Sequence, residues 1–164
     1  MRSLYLLNVT VHVLAAVVWV GGMLFLGLVG APVLRRVEPA ALRARLFRDL
    51  GRAFRPVGWC AIAALLITGV LNLYFAGVLD GRLASAAFWS APYGRALAWK
   101  LAAVAAMLAA SALHDFVLGP RAARLEAGSP EALRARSRAA WLARLNAAIA
   151  VVVVIAAVRV ARGG

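Results

Sequence analysis

Six side chains able to bind a metal, carry charge or meet a cofactor recur at helical spacing within two apolar stretches. In "HVLAAVVWVGGM" (12–23), His12, Trp19 and Met23 are separated by seven and four residues, which puts them on one face of a helix. In "KLAAVAAMLAASALH" (100–114), Lys100, Met107 and His114 follow at intervals of seven, again on one face. Imidazole, thioether and thiolate are the donors that Cu(I) prefers, so His12, Met23, Met107, His114 and the single cysteine, Cys60, form a candidate soft-metal set. An ionisable group inside an apolar helix costs about 2.5–3.5 kcal/mol on insertion scales, and so faces protein or water. That cost makes His12 and Lys100 functional candidates.

Depth can be read from a rise of about 1.5 Å per residue. With helix midpoints near residues 17, 68 and 107, His12, Asn72 and Lys100 fall about 6–11 Å from the centre on one side. Met23, Cys60 and His114 fall about 9–12 Å from it on the other, with Asp115 and Asn146 at a similar depth. The sequence therefore predicts two polar layers, with Met107 between them. Ordinary roles compete at each position. Methionine and cysteine fill packing gaps, and His114 with Asp115 can meet lipid headgroups. Lys100 can snorkel to the interface, His12 can hydrogen-bond Asn72 across helices, and Trp19 can be packing.

The elements that carry these residues are long. Apolar runs cover about 4–30, 57–79, 96–119 and 139–161, each near the 20 residues that cross a bilayer core. Mean hydropathy is +0.86 and the formal net charge is +13. Together these predict an all-α integral membrane four-helix bundle whose arginines edge the bilayer, not a nucleic-acid-binding domain. The first run is too long for the apolar region of a signal peptide, and one cysteine allows no internal disulfide. No phosphate loop, nucleophile elbow or His-Glu-x-x-His zinc motif occurs, so a soluble enzyme is not expected.

Seven arginines lie in 31–56 (Arg35, Arg36, Arg43, Arg45, Arg48, Arg52, Arg55) and five in 119–138 (Arg121, Arg124, Arg134, Arg136, Arg138). By the positive-inside rule both segments are cytoplasmic and both termini lie outside. The segments echo each other. "GAPVLRR" (30–36) and "GPRAAR" (119–124) close the odd-numbered spans, where Gly and Pro are expected to stop the helix. "PAALRAR" (39–45) and "PEALRAR" (130–136) open the even ones, with Ser129 an N-cap candidate. Two helix-pair repeats in parallel orientation would explain this, as would convergence on Ala, Leu and Arg. Residues 39–55 read as an amphipathic helix along anionic headgroups, its stripe being Leu42, Leu46, Leu50 and Phe54. The loop "DGRLASAAFWSAPYGR" (80–95) places Phe88, Trp89 and Tyr93 at the opposite interface.

On the stretches 12–36 and "YGRALAWKLAAVAAML" (93–108), above all Tyr93-Gly94-Arg95 with Lys100-Leu101, the chain resembles the copper-resistance protein D (CopD) family. That resemblance implies an inner-membrane protein handling copper supplied by a periplasmic donor. His12, Trp19, Lys100 and Leu101 also resemble the HemJ-type haem proteins, which implies haem b with His12 as axial ligand and an oxidoreductase. A bis-histidine haem within one chain does not fit, because His12 and His114 lie about 15–20 Å apart along the membrane normal. The expectation is copper handling, with haem b and a cofactor-free structural or assembly subunit as alternatives. The polar layers could meet within one subunit or across a homodimer.

Overall fold

The computed structural model describes residues 2–125 and 129–162, which are almost entirely helical, with no strand among them. Four long helices dominate: α1 (Arg2–Arg35), α2 (Ala40–Phe75), α4 (Pro92–Ala122) and α5 (Pro130–Ala161). A short α3 (Ala86–Ser90) lies in the loop before α4. Each long helix contains a stretch apolar and long enough to cross a bilayer. The chain is an all-α four-helix membrane bundle.

The packing is what lipid solvent selects. Chains already surrounded by hydrocarbon gain little from burying leucine, so helices meet through small residues that let backbones approach. Ala15, Ala44, Ala61, Ala110, Ala132, Ala150 and Ala156 are buried, whereas Leu14, Phe25, Leu28, Ile67 and Val154 point outward. α1 packs chiefly on α2 and α4 chiefly on α5, so the bundle is made of two helix pairs. The far half of α1 also touches α5, which joins the pairs. Trp19, Ala61, Ile62, Met107 and Ala150 form the central core.

The long helices overrun the spans expected from hydropathy. Neither Gly30–Pro32 nor Gly119–Pro120 stops its helix. In each case the residue before proline donates its N–H five residues back: Ala31 to the Leu26 carbonyl and Gly119 to that of His114. These wide turns, Leu26–Gly30 and Leu113–Leu118, let the helix continue past a residue that lacks a donor. α1 has a third such turn at Val17–Gly21, around Trp19.

Residues 40–55 are the opening turns of α2 and not a separate surface helix. At 36 residues α2 is about 54 Å long, well beyond an apolar core of about 30 Å. Its expected lipid-facing stripe in part packs inward: the Phe54 ring lies against Gly22, and a Leu50 methyl is 3.7 Å from where a Cβ on Gly30 would be. Pro56 sits inside the helix, and the carbonyl of exposed Arg52, which loses its usual donor, can turn to water. Ser129 does cap α5, its side chain accepting from the Ala132 N–H at 3.2 Å.

At the opposite end, α3 folds back onto the start of α4. The Phe88 carbonyl and the Trp89 Cα occupy the space a Cβ on Gly94 would need, so only glycine permits this approach. Trp89 donates to the Leu83 carbonyl at 2.8 Å, and Phe88 makes edge contacts with Trp89 and Tyr93. Gly77 and Gly81 take positive φ values of 63° and 96° to turn the chain after α2. Hydrogen bonds from the Arg82 side chain hold the Asp80 carboxyl below its ordinary range in this loop.

Candidate functional site: polar groups in two layers of the bundle

The polar cluster nearer the chain termini is built by α1 and α2. Asn8 precedes His12 by one turn, and Thr68 precedes Asn72 by one turn, so two helical faces supply two polar groups each. Asn8 Nδ2 donates to the Thr68 carbonyl at 3.1 Å and to Asn72 Oδ1 at 2.9 Å. His12 Nδ1 lies 2.7 Å from Thr68 Oγ1, and Thr68 Oγ1 lies 2.6 Å from the Ala64 carbonyl. The partner of His12 is thus Thr68, while Asn72 pairs with Asn8.

This geometry fixes the histidine tautomer. A hydroxyl has one proton, and a carbonyl oxygen at 2.6 Å can only be an acceptor, so the Thr68 proton is committed to Ala64. Thr68 Oγ1 must then accept from His12, whose Nδ1 carries the hydrogen. Nε2 is left with its lone pair, the form in which a neutral imidazole binds a metal. Gly69, whose Cβ would stand 3.7 Å from His12 Cε1, leaves the ring room against α2.

Lys100 is half-buried on α4. It makes no hydrogen bond or ion pair among the described residues. Below this level Trp19 and Met107, 6% and 0% exposed, fill the bundle centre. Trp19 packs within the central core.

The second cluster lies toward the arginine-rich end. Asn146 of α5 is 5% exposed and donates to Ser111 Oγ at 3.0 Å and to Met23 Sδ at 3.3 Å. Its Oδ1 is enclosed with no partner among the described residues, and so is His114 Nδ1. Asp115 faces α2, accepting from Trp59 Nε1 at 2.9 Å, and Phe116 packs on the Trp59 ring. Met23, Asn146 and Met107 are therefore brought toward one interior, with His114 one turn beyond Ser111.

Cys60 is not part of that interior. It is exposed, in an apolar groove with Val11, Val18, Pro56 and Val57. Its depth matches Met23, but Ala61 and Ile62 hold the inward face of α2 at that level, so Cys60 is turned out of the bundle. No group of three or more His, Cys, Asp or Glu side chains converges among the described residues. A metal in this bundle would depend on thioether, amide and hydroxyl donors beside single histidines.

Residues 48–160 match the family described as copper resistance protein D. The chain belongs to the copper resistance protein D family. It is also 30% identical over 164 residues to an uncharacterized protein of Aquifex aeolicus (strain VF5), covering 99% of this chain and 97% of that protein. No solved structure matches it. The family match takes in Gly94, Lys100, Met107, His114 and Asn146 but begins within α2. His12, Trp19 and Met23 lie outside it, so their roles rest on the geometry above.

Four participants escaped the sequence reading: Asn8, Thr68, Ser111 and Trp59. The signal was present for three of them, since Asn8 and Thr68 stand one turn from His12 and Asn72, and Ser111 lies between Met107 and His114 on one face. Helical Ser and Thr commonly satisfy themselves on their own backbone, so their type alone marks nothing.

Proposed function

We propose that this protein handles copper in the cytoplasmic membrane, with the metal as cargo inside the helix bundle and His12 Nε2 as its first ligand. The observation that carries this reading is the Thr68 hydroxyl 2.7 Å from His12 Nδ1 and 2.6 Å from the Ala64 carbonyl, from which we infer a His12 Nε2 with its lone pair free. Membership of the copper resistance protein D family supports copper as the ion. The arginine-rich ends of the helices favour a cytoplasmic position, which puts His12 on the periplasmic side, where a copper donor would reach it. Lys100 is no ligand while protonated. Its positive charge weakens cation binding at His12, and a site that passes its ion on must bind weakly enough to release it.

Cells expressing the wild type and His12→Ala, matched for membrane abundance, test the proposal through copper accumulation and growth on copper. Loss of the copper-dependent phenotype in His12→Ala is expected. Unchanged copper accumulation at equal abundance overturns the assignment. The same free Nε2 also suits an axial haem ligand, which is the second reading. A Soret band in the purified protein that His12→Ala removes and His114→Ala leaves would decide for haem.

A further inference from the structure

Arg55 carries a charge that its neighbours do not neutralise. It stands one turn before Trp59 on α2, so the two side chains share the face that meets α4. The Arg55 guanidinium carbon lies 5.9 Å from the centre of the Phe116 ring, and one terminal nitrogen lies 3.8 Å from where a Cβ on Gly119 would be. Nε is enclosed, and neither it nor the two terminal nitrogens finds an acceptor among the described residues; the terminal pair is not enclosed. Arginine stays protonated, so this group is a cation whatever surrounds it. Asp115 forms no ion pair with it among the described residues and accepts instead from Trp59 at 2.9 Å. With the α4 midpoint near residue 107, Phe116 and Gly119 lie about 14 and 18 Å from the bilayer centre. A hydrocarbon layer about 30 Å thick ends between them, so the free donors stand where the headgroups begin.

We infer that Arg55, backed by Phe116, is a binding site for the phosphate of an anionic phospholipid at the seam between α2 and α4. The two terminal nitrogens of a guanidinium form a planar fork that two phosphate oxygens accept together. Gly119 has no side chain to cover that fork. Toward the membrane centre the surface turns apolar: Phe116 and Leu113 are exposed on α4, and Leu66, seven residues beyond Trp59, is exposed on α2. A cationic fork at the headgroup level above an apolar strip matches a phospholipid and not a water-soluble anion. The headgroup is selected by charge. Arg52 on α2 and Arg121 on α4 are both exposed near this end, and they repel an ammonium headgroup while attracting a lipid of net negative charge. A lipid held here would brace the two helix pairs where α2 and α4 meet through the Trp59–Asp115 bond and the Trp59 and Phe116 rings. The site does not depend on what the bundle carries.

Native mass spectrometry and thermal unfolding of the delipidated full-length protein in a neutral detergent test this. The probes are dioleoylphosphatidylglycerol, dioleoylphosphatidylcholine and inorganic phosphate, added to wild type, Arg55→Gln, Arg55→Lys and Arg52→Gln. Phosphatidylglycerol is expected to bind the wild type more tightly than phosphatidylcholine and to raise its unfolding temperature. Arg55→Gln should weaken that binding about tenfold or more, the factor for a hydrogen bond to a charged group, and abolish the thermal shift. Arg52→Gln, which removes an exposed charge, should change it about twofold or less. Arg55→Lys keeps the charge without the fork and should fall between wild type and Arg55→Gln. It carries the test if Arg55→Gln does not fold, and wild-type affinity in Arg55→Lys overturns the forked contact. Equal losses in Arg52→Gln and Arg55→Gln would show a diffuse arginine field and overturn the site, as would equal binding of the two lipids. Inorganic phosphate that binds as tightly as phosphatidylglycerol would assign the fork to a free anion and overturn the lipid.

Discussion

Thr68→Val isolates what the Thr68 hydroxyl does for His12. Valine keeps the shape of threonine and removes only the atom that sits 2.7 Å from His12 Nδ1 and 2.6 Å from the Ala64 carbonyl. The Asn8 bond to the Thr68 backbone carbonyl at 3.1 Å is untouched, so α1 and α2 stay paired. Two consequences follow. The His12 Nδ1–H loses its acceptor, which for polar pairs within membrane helices is worth about 0.6–2 kcal/mol. The ring is also free to adopt the other tautomer, in which Nε2 carries the hydrogen and cannot bind a metal. Removing the partner that orients a metal-binding histidine typically lowers affinity about 10–100-fold, equivalent to about 1.4–2.8 kcal/mol. The two ranges overlap, so a roughly tenfold or greater loss of Cu(I) affinity at the His12 site is expected. Chelator competition measures it, and nitrogen NMR of the labelled imidazole reports the tautomer. Thr68→Ser should retain both. A Thr68→Val protein within twofold of wild-type affinity would refute the claim that the hydroxyl prepares His12.

Gly94→Ala should lower thermal stability by about 1–3 kcal/mol, the usual range for overpacking, and alter Trp89 fluorescence, because the new methyl meets the Phe88 carbonyl and Trp89 Cα. Gly21→Ala, with nothing within 4 Å of its Cβ, should be neutral, so equal stability of the two variants would refute the close-approach argument. Lys100 is the one lysine among nineteen basic residues, and a half-buried position within a span calls for a compact charge. Lys100→Arg is therefore expected to impair copper handling, and Lys100→Met at least as much, whereas full activity in Lys100→Arg would favour snorkelling. A C-terminal reporter active only in the cytoplasm should stay silent, and robust activity would reverse the orientation drawn from the arginines.

The fold was legible because a bilayer makes a blunt demand: about 20 apolar residues per crossing, which the chain meets four times. Helix ends were not, because they depend on where backbone groups can be hydrated, and hydropathy ignores that. Residues 40–55 look amphipathic in isolation, yet with no break before Phe75 they simply begin α2. In the site, depth was easier to read than direction. Rise per residue gives Met23 and Cys60 the same level, but the angle around each helix separates them, and that angle is set by small neighbours such as Ala61. His12, Met23, Met107 and Asn146 were visible as unusual residues. Thr68 and Ser111, which bond to His12 and Asn146, look like ordinary helix residues until the partner helix is placed beside them.

The paired Gly-Pro motifs illustrate how one sequence signal can carry a different physical instruction. Proline has no N–H for the carbonyl four residues earlier, and its ring presses on that carbonyl. A helix can end there, or it can widen by one residue so that the preceding amide reaches five back instead. This chain widens at both Pro32 and Pro120, using Ala31 and Gly119 as the donors. At Pro120 the acceptor is the His114 carbonyl, so the widened turn begins around the residue whose Nδ1 is enclosed without a partner among the described residues. An extra residue in a turn rotates everything on one side of it relative to the other. With the turn starting at Leu113, Met107 and Ser111 keep the regular helical register that aims them at α5, while Asp115 and Phe116 swing to Trp59 on α2. The motif that reads as a stop is therefore what lets one helix address two neighbours at the level of the interior polar cluster.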